Sequence, residues 1–280
     1  MIYCLTIGLF KINRSIFIKS NELMLFLQIY QSETKIMKLI KFSSYNQYLL
    51  EGLTNQTLFF SSIYNFNDPF EGVFRYKISA DYSKFKDFYL NHYRGREDKL
   101  DYYFNNKIEF EKLLNQTFDW RYENNGVCCF SHGSKKTDIL MWANYADNHK
   151  GLCLVFKKDK LAFHGILLNN TAISDPTGPH EITYTHKYLD EDPLNRKLTI
   201  ETFLTTKFDI WINENEFRYI SPKPGNYVFN IESLHEIIFG LRTSPSAIKT
   251  IKNIYRNQDK IKYKQIVLSD DKFGFRLKEI

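Results

Sequence analysis

None of the four cysteines, Cys4, Cys128, Cys129 and Cys153, stands in a CxxC pair. That spacing fits neither a zinc site nor a disulfide framework, and a reducing cytoplasm is the expected compartment. Phosphate cradles are missing too, with no GxGxxG and no GxxxxGK[ST]. HExxH, the GxSxG elbow and a kinase signature set are absent. The seven histidines, at 92, 132, 149, 164, 180, 186 and 235, show no paired metal spacing. No apolar run approaches the ~20 residues of a transmembrane helix, so no membrane partner is expected. Charge of one sign is not concentrated either: 38 Lys and Arg against 32 Asp and Glu give +6 without a basic block.

Aromatic surface, by contrast, is plentiful. The chain has 24 Phe, 19 Tyr and 3 Trp, enough apolar area for a sizeable core. A length of 280 residues suits one large domain, or one domain with an appendage. Residues 1–36 read as apolar stretches broken by charges. Ile2 to Phe10 imitates a secretory h-region, but no positive residue precedes it and no small-residue cleavage site follows. Met37 opens a cleaner start. Residues 1–36 are therefore expected to be an extension, either upstream of the true initiator or loosely attached.

From residue 37 onward a single α+β domain is expected, with a mixed, mainly antiparallel central sheet and flanking helices. Strands are predicted at 39–42, 57–62, 73–79, 127–132, 151–156, 181–186, 216–221, 236–241, 263–268 and 273–277. Helices are predicted at 45–53, 138–148, 194–211 and 244–257. A pair of inserted helices is expected over about 81–125, with Phe85, Phe88, Tyr89 and His92 on one apolar face.

Three constellations carry chemistry. The first is Phe66-Asn67-Asp68-Pro69-Phe70-Glu71. Turn chemistry alone accounts for Asn-Asp-Pro, and the alternative is a loop presenting Asn67, Asp68 and Glu71 to a ligand. The second joins Phe130-Ser131-His132 to the stretch from Met141 to Gly151. At helical spacing Trp142, Tyr145 and His149 share a face, either docked on the sheet or lining a slot for a flat ring. The third runs from Lys207 to Arg218. In a strand, Glu214, Glu216 and Arg218 lie on one side, either a solvated edge or a carboxylate pair with its counter-ion.

These stretches resemble the bacterial family known as domain of unknown function 2971. Its pattern combines Phe-Asn-Asp-Pro-Phe-Glu, Cys-Phe-Ser, Met-Trp-x-x-Tyr-Ala-x-x-His-x-Gly-x-Cys and Trp-x-x-Glu-x-Glu-aromatic-Arg. This chain matches at 66–71, 129–131, 141–153 and 211–218, with Phe42 where the first strand of the pattern has Tyr. The chain is also similar, in the order of its motifs, to toxin-type ADP-ribosyltransferases, which bind NAD in a small split sheet. Lys41-Phe42, Phe130-Ser131-His132 and Glu214-Asn215-Glu216 follow that order, with Lys41 or Phe42 in place of the usual Arg or His.

That similarity implies an enzyme acting on NAD, by transfer or hydrolysis of ADP-ribose, in a toxin or an anti-phage effector. Glu216 would stabilise the oxocarbenium character of the ribose, and Glu214 would orient or deprotonate the acceptor. Ser131 would support Glu216, and Trp142 or Tyr145 would stack on nicotinamide. Lys41, Asn67, Asp68, Glu71, His132, His149 and Arg218 complete the expected binding set. No metal is expected, and the acceptor would be nucleic acid or protein. Two other readings stand beside this one. One is a nuclease holding Mg²⁺ through Asp68, Glu71, Glu214 and Glu216. The other is a non-enzymatic sensor or interaction domain in which the motifs are scaffold.

Overall fold

The computed structural model describes residues 37–76, 78, 80–165, 174–192, 194 and 199–280. The expectations for residues 1–36 lie outside them. Residues 38–280 form one compact unit.

The first half of that unit contains β1 (Lys38–Ser43), α1 (Gln47–Thr54), β2 (Thr57–Phe60) and β3 (Phe74–Tyr76), then α2 (Tyr82–His92), α3 (Leu100–Asn105) and α4 (Lys107–Asn124). Next come β4 (Gly126–His132), α5 (Ile139–Tyr145), β5 (Leu152–Lys157) and β6 (Phe163–His164). The second half holds β7 (Thr177–Glu181), β8 (Thr183–Thr185), β9 (Leu189–Glu191), α6 (Ile200–Leu204) and β10 (Thr206–Phe208). It closes with β11 (Glu216–Ser221), β12 (Gly225–Phe229), β13 (Leu234–Phe239), α7 (Pro245–Ile254), β14 (Lys262–Leu268) and β15 (Phe275–Glu279).

The fold is α+β. Eight strands form one sheet in the order β15-β14-β13-β5-β1-β4-β11-β7. Every pairing in it is antiparallel except β13 with β14, which α7 connects. The centre is β5, whose residues from Leu152 to Phe156 are all buried, as its unbroken apolar run requires. On one face of the sheet Phe130, Phe156 and Tyr219 meet Phe163 and Phe229 of a three-stranded sheet, β2-β12-β6, in edge-on aromatic contacts. On the other face Phe42, Cys153, Val155 and Ile238 pack against Met141 and Trp142 of α5.

One irregularity in the sheet shapes the site. β1 pairs with β5 along all six positions, and β11 with β4 along six, but β1 meets β4 only at Leu39–His132 and Ile40–Ser131. Beyond Ile40 the two strands part, and a gap opens in the middle of the sheet.

The local structure departs from expectation in several places. Three helices, not two, fill the 81–125 segment, and their aromatic faces close on one another around Phe85, Tyr89 and Phe110. The helix expected over 194–211 is reduced to α6, and a strand and the 3-10 turn Asp209–Glu214 follow it; residues 195–198 lie outside the described residues. The single strand expected at 181–186 is two short strands, β7 and β8, and β12 was not anticipated. Finally, α5 stops at Tyr145 rather than at Asn148. Asp147, Asn148 and His149 take φ values of 46°, 51° and 71°, which turns the chain out of the helix. Gly151 then passes so close to β1 that a Cβ there would lie 2.1 Å from the Ser43 carbonyl oxygen.

Candidate functional site

A cleft of ≈ 430 Å³ occupies the gap between β1 and β4. Ile40, Lys41 and Phe42 of β1, Cys129 and Ser131 of β4, and Asn144 and Tyr145 of α5 line it. Asn65, Phe66 and Asn67 of the loop after β2 close one side, and Lys207, Glu214 and Glu216 form the charged wall.

That wall is a buried ion network. Arg218 is fully enclosed on β11. Its guanidinium donates two hydrogen bonds to Glu71, at 3.0 and 2.7 Å, and two to Glu216, at 2.8 and 3.2 Å. A fifth bond, of 2.7 Å, goes to the Leu204 carbonyl, so every donor direction of the fork is used. The Lys207 ammonium donates to Glu214 at 2.5 Å and to Glu216 at 2.9 Å, and lies 3.6 Å from Glu71. Two cations therefore face three carboxylates, and one negative charge is left over.

The network decides which carboxylate carries that excess. Burial alone would raise the pKa of Glu216, but Arg218 and Lys207 outweigh burial and hold it at about 2. Glu214 goes the other way: burial pushes its carboxyl up, and Lys207 only partly compensates. Of these two carboxyls, Glu214 takes a proton more readily. Its Oε1 accepts the hydroxyl of Tyr145, whose own pKa is raised by burial and by this contact. The Asn67 side chain lies beside the same hydroxyl and partly offsets that rise.

The local chain explains how two residues separated by one reach one ammonium. Glu214 does not lie in the strand, as its spacing suggested. It ends the 3-10 turn Asp209–Glu214, and Asn215 then takes a left-handed conformation with φ 47° before β11 begins at Glu216. Asn is one of the few residues that adopt that conformation readily. The Asn215 carbonyl accepts the His132 amide at 2.9 Å, and the Tyr184 hydroxyl accepts the Glu216 amide at 2.9 Å. The turn is pinned on both sides.

Lys41, Asn67, Tyr145, Ser131, Glu214 and Glu216 converge on the cleft, and Glu71 and Arg218 brace its wall from behind. The other four expected residues neither line nor brace it. Trp142 is completely buried beneath it, with its ring edge-on to Phe42 at 5.1 Å and its indole N–H donating to the Lys136 carbonyl at 2.7 Å, so it offers no stacking face. His149 was expected on the same helical face as Tyr145, but the left-handed turn carries it to Phe275. His132 turns back to cap the segment after β4, its Nδ1 accepting the Ser134 amide. Asp68 does the turn work its sequence suggested: Oδ1 accepts the Phe70 amide at 2.9 Å.

Lys207 was the residue missed. It opened the third motif, yet only the turn of the chain between Phe208 and Glu216 brings its ammonium back onto the two glutamates. Its side chain is 6% exposed. In the sequence its one mark is its place in the third motif, a lysine just ahead of Asp209, Glu214 and Glu216.

No curated protein and no solved structure matches the chain. Residues 141–219, which carry Tyr145, Lys207, Glu214, Glu216 and Arg218, match the model of the family described as Protein of unknown function (DUF2971).

Proposed function

We propose that the cleft binds NAD and breaks its nicotinamide–ribose bond, passing ADP-ribose to water or to a nucleophilic acceptor. The observation that carries this reading is a pair of neighbouring carboxylates facing one cavity whose pKa values are pushed apart, Glu216 lowered by Arg218 and Lys207 and Glu214 raised by burial, which suits the first to a fixed charge and the second to a proton acceptor. Their placement supports it. Lys41, Ser131 and Glu216 stand on the three adjacent strands β1, β4 and β11, around the gap in the sheet.

As nicotinamide leaves, positive charge develops on the ribose, and the fixed charge of Glu216 favours it. The oxygens of Glu216 are already engaged by Arg218 and Lys207, so its contribution is electrostatic. Glu214 accepts the proton of the incoming hydroxyl as the new C–O bond forms, and the hydrogen bonds from Tyr145 and Lys207 hold its carboxylate in place. Phe42, Phe66 and Tyr145 supply the aromatic lining that Trp142 does not. A magnesium-dependent reading is less well supported, because Glu71, Glu214 and Glu216 turn their oxygens to Lys207 and Arg218, which fill the place of a metal.

The test is nicotinamide release from NAD by purified protein, with and without EDTA. Turnover insensitive to EDTA is expected. No turnover, with or without candidate acceptors, would overturn the assignment, and EDTA-sensitive cleavage of DNA or RNA would replace it with the nuclease.

A further inference from the structure

We propose that one end of the large sheet, away from the cleft, binds the phosphate backbone of a nucleic acid without reading its sequence. Lysines that are scattered along the chain meet there. Lys38 begins β1 and Lys157 ends β5, and the two are direct cross-strand partners. Like charges placed opposite one another in a sheet repel. Lys262 and Lys264 enter from β14, with Lys262 opposite Glu236 of β13.

The carboxylate at the centre does not balance this charge. Glu236 is 2% exposed and takes Lys38 at 2.8 Å, Lys136 at 3.0 Å and Lys264 at 3.5 Å. Three ammonium groups on one carboxylate leave two positive charges in excess at a partly enclosed place. His235 lies beside them, 3.3 Å from Glu236, and its pKa is lowered by burial and by Lys38, Lys157 and Lys262. Immediately next to His235 a hollow of ≈ 280 Å³ is walled by Lys157, Lys160, Lys260 and Gln258. Glu232 is the one acid in its lining, paired with Lys260 at 3.5 Å.

A cationic hollow with a repulsive rim is completed by an anion. Besides Glu232 the lining is lysine, histidine and glutamine, with the aliphatic Ile231, Leu234 and Ile261 and, among the described residues, no Phe, Tyr or Trp ring on which a base would stack. The chemistry suits a chain of phosphates rather than bases. The hollow and the cleft share no lining residue, so this inference stands independently of the NAD reading.

The experiment is fluorescence anisotropy with a labelled 20-nucleotide single strand over a salt series. Lys157, Lys160 and Lys260 are changed together to Glu; Lys38 and Lys136 are left in place because they hold Glu236. A control with the same change in net charge carries Lys84→Glu, Lys86→Glu and Lys249→Glu, all exposed on helices elsewhere. Wild-type protein is expected to bind, with log affinity falling linearly in log salt. The hollow variant should bind at least about tenfold more weakly, and lose about two from that slope if each lysine meets one phosphate of a single strand. The control should stay within about twofold of wild type, since its lysines make no phosphate contact. No binding by wild-type protein overturns the proposal. So does an equal loss in the control, which would reduce the effect to net charge, and so does binding to anionic phospholipid vesicles without binding to the oligonucleotide.

Discussion

The Lys207 ammonium stands 2.5 Å from Glu214 and 2.9 Å from Glu216, so a single cation holds together the two carboxylates of the candidate site. Removing it leaves buried negative charge without its partner. Lys207→Met should cost about 3–5 kcal/mol of stability, the usual penalty for breaking one side of a buried pair. Urea unfolding at neutral pH measures it, and a change within the noise of the midpoint would show the pair to be energetically idle.

Glu216→Gln and Glu214→Gln should separate two roles. The first removes the fixed charge and should lower nicotinamide release by about 10²–10³ at every pH tested. The second removes the proton acceptor and should also flatten the acid limb of the pH–rate profile, because the raised carboxyl of Glu214 is the group expected to titrate there. Turnover per folded molecule is the readout. Wild-type turnover in Glu216→Gln would turn the whole wall into scaffold.

Acid should unfold the protein through two particular carboxyls. Glu216 and Glu236 both have folded pKa values lowered from 4.5 to about 2. A lowered pKa contributes stability that is complete above the unfolded value and is lost as pH falls through the folded one. The urea midpoint should therefore drop between about pH 4.5 and pH 2. Glu214, being raised, acts in the opposite sense and gives back part of that loss on protonation. Glu236→Gln should be less stable than wild type at pH 7 yet show a shallower drop, with an unchanged urea dependence of the folding free energy.

The thiols should be sheltered in graded fashion. Cys128 and Cys153 are buried, and burial raises the pKa of each. Cys129 lines the cleft, but burial and the charge of Glu216 hold its thiol well up. Native alkylation should label Cys129 slowly and the other two only after unfolding, as read by peptide mass. The three thiols do not lie on adjacent strands, since β1 separates Cys153 from the other two. Prompt labelling of Cys153 would mean that the central strand is accessible.

The sheet was legible because its strands are written in apolar runs. Leu152 to Phe156 and Val127 to Ser131 look like strands and are strands. The meeting of the three motifs was legible in outline, since Asn67, Tyr145 and Glu216 do share one cleft. What escaped was everything set by a local reversal of the backbone. Helical spacing placed His149 beside Tyr145, but Asp147 and Asn148 between them are left-handed, as is His149 itself. Strand spacing placed Glu214 beside Glu216, and a single left-handed asparagine changed the reason they meet. The basic end of the sheet was invisible for another cause: its lysines come from the ends of different strands, and no window of sequence holds them together.

Glu71 and Arg218, joined by paired hydrogen bonds, are separated by 147 positions along the chain. During synthesis the loop bearing Glu71 leaves the ribosome long before its partner exists. At the speed of translation, about 5–20 residues per second, that interval is on the order of ten seconds. Throughout it the carboxylate must remain in water, and the cleft has neither its wall nor its fixed charge. Any product cut short before β11 lacks the guanidinium on which two of the three acids depend, so the centre comes into being only when the chain is nearly finished.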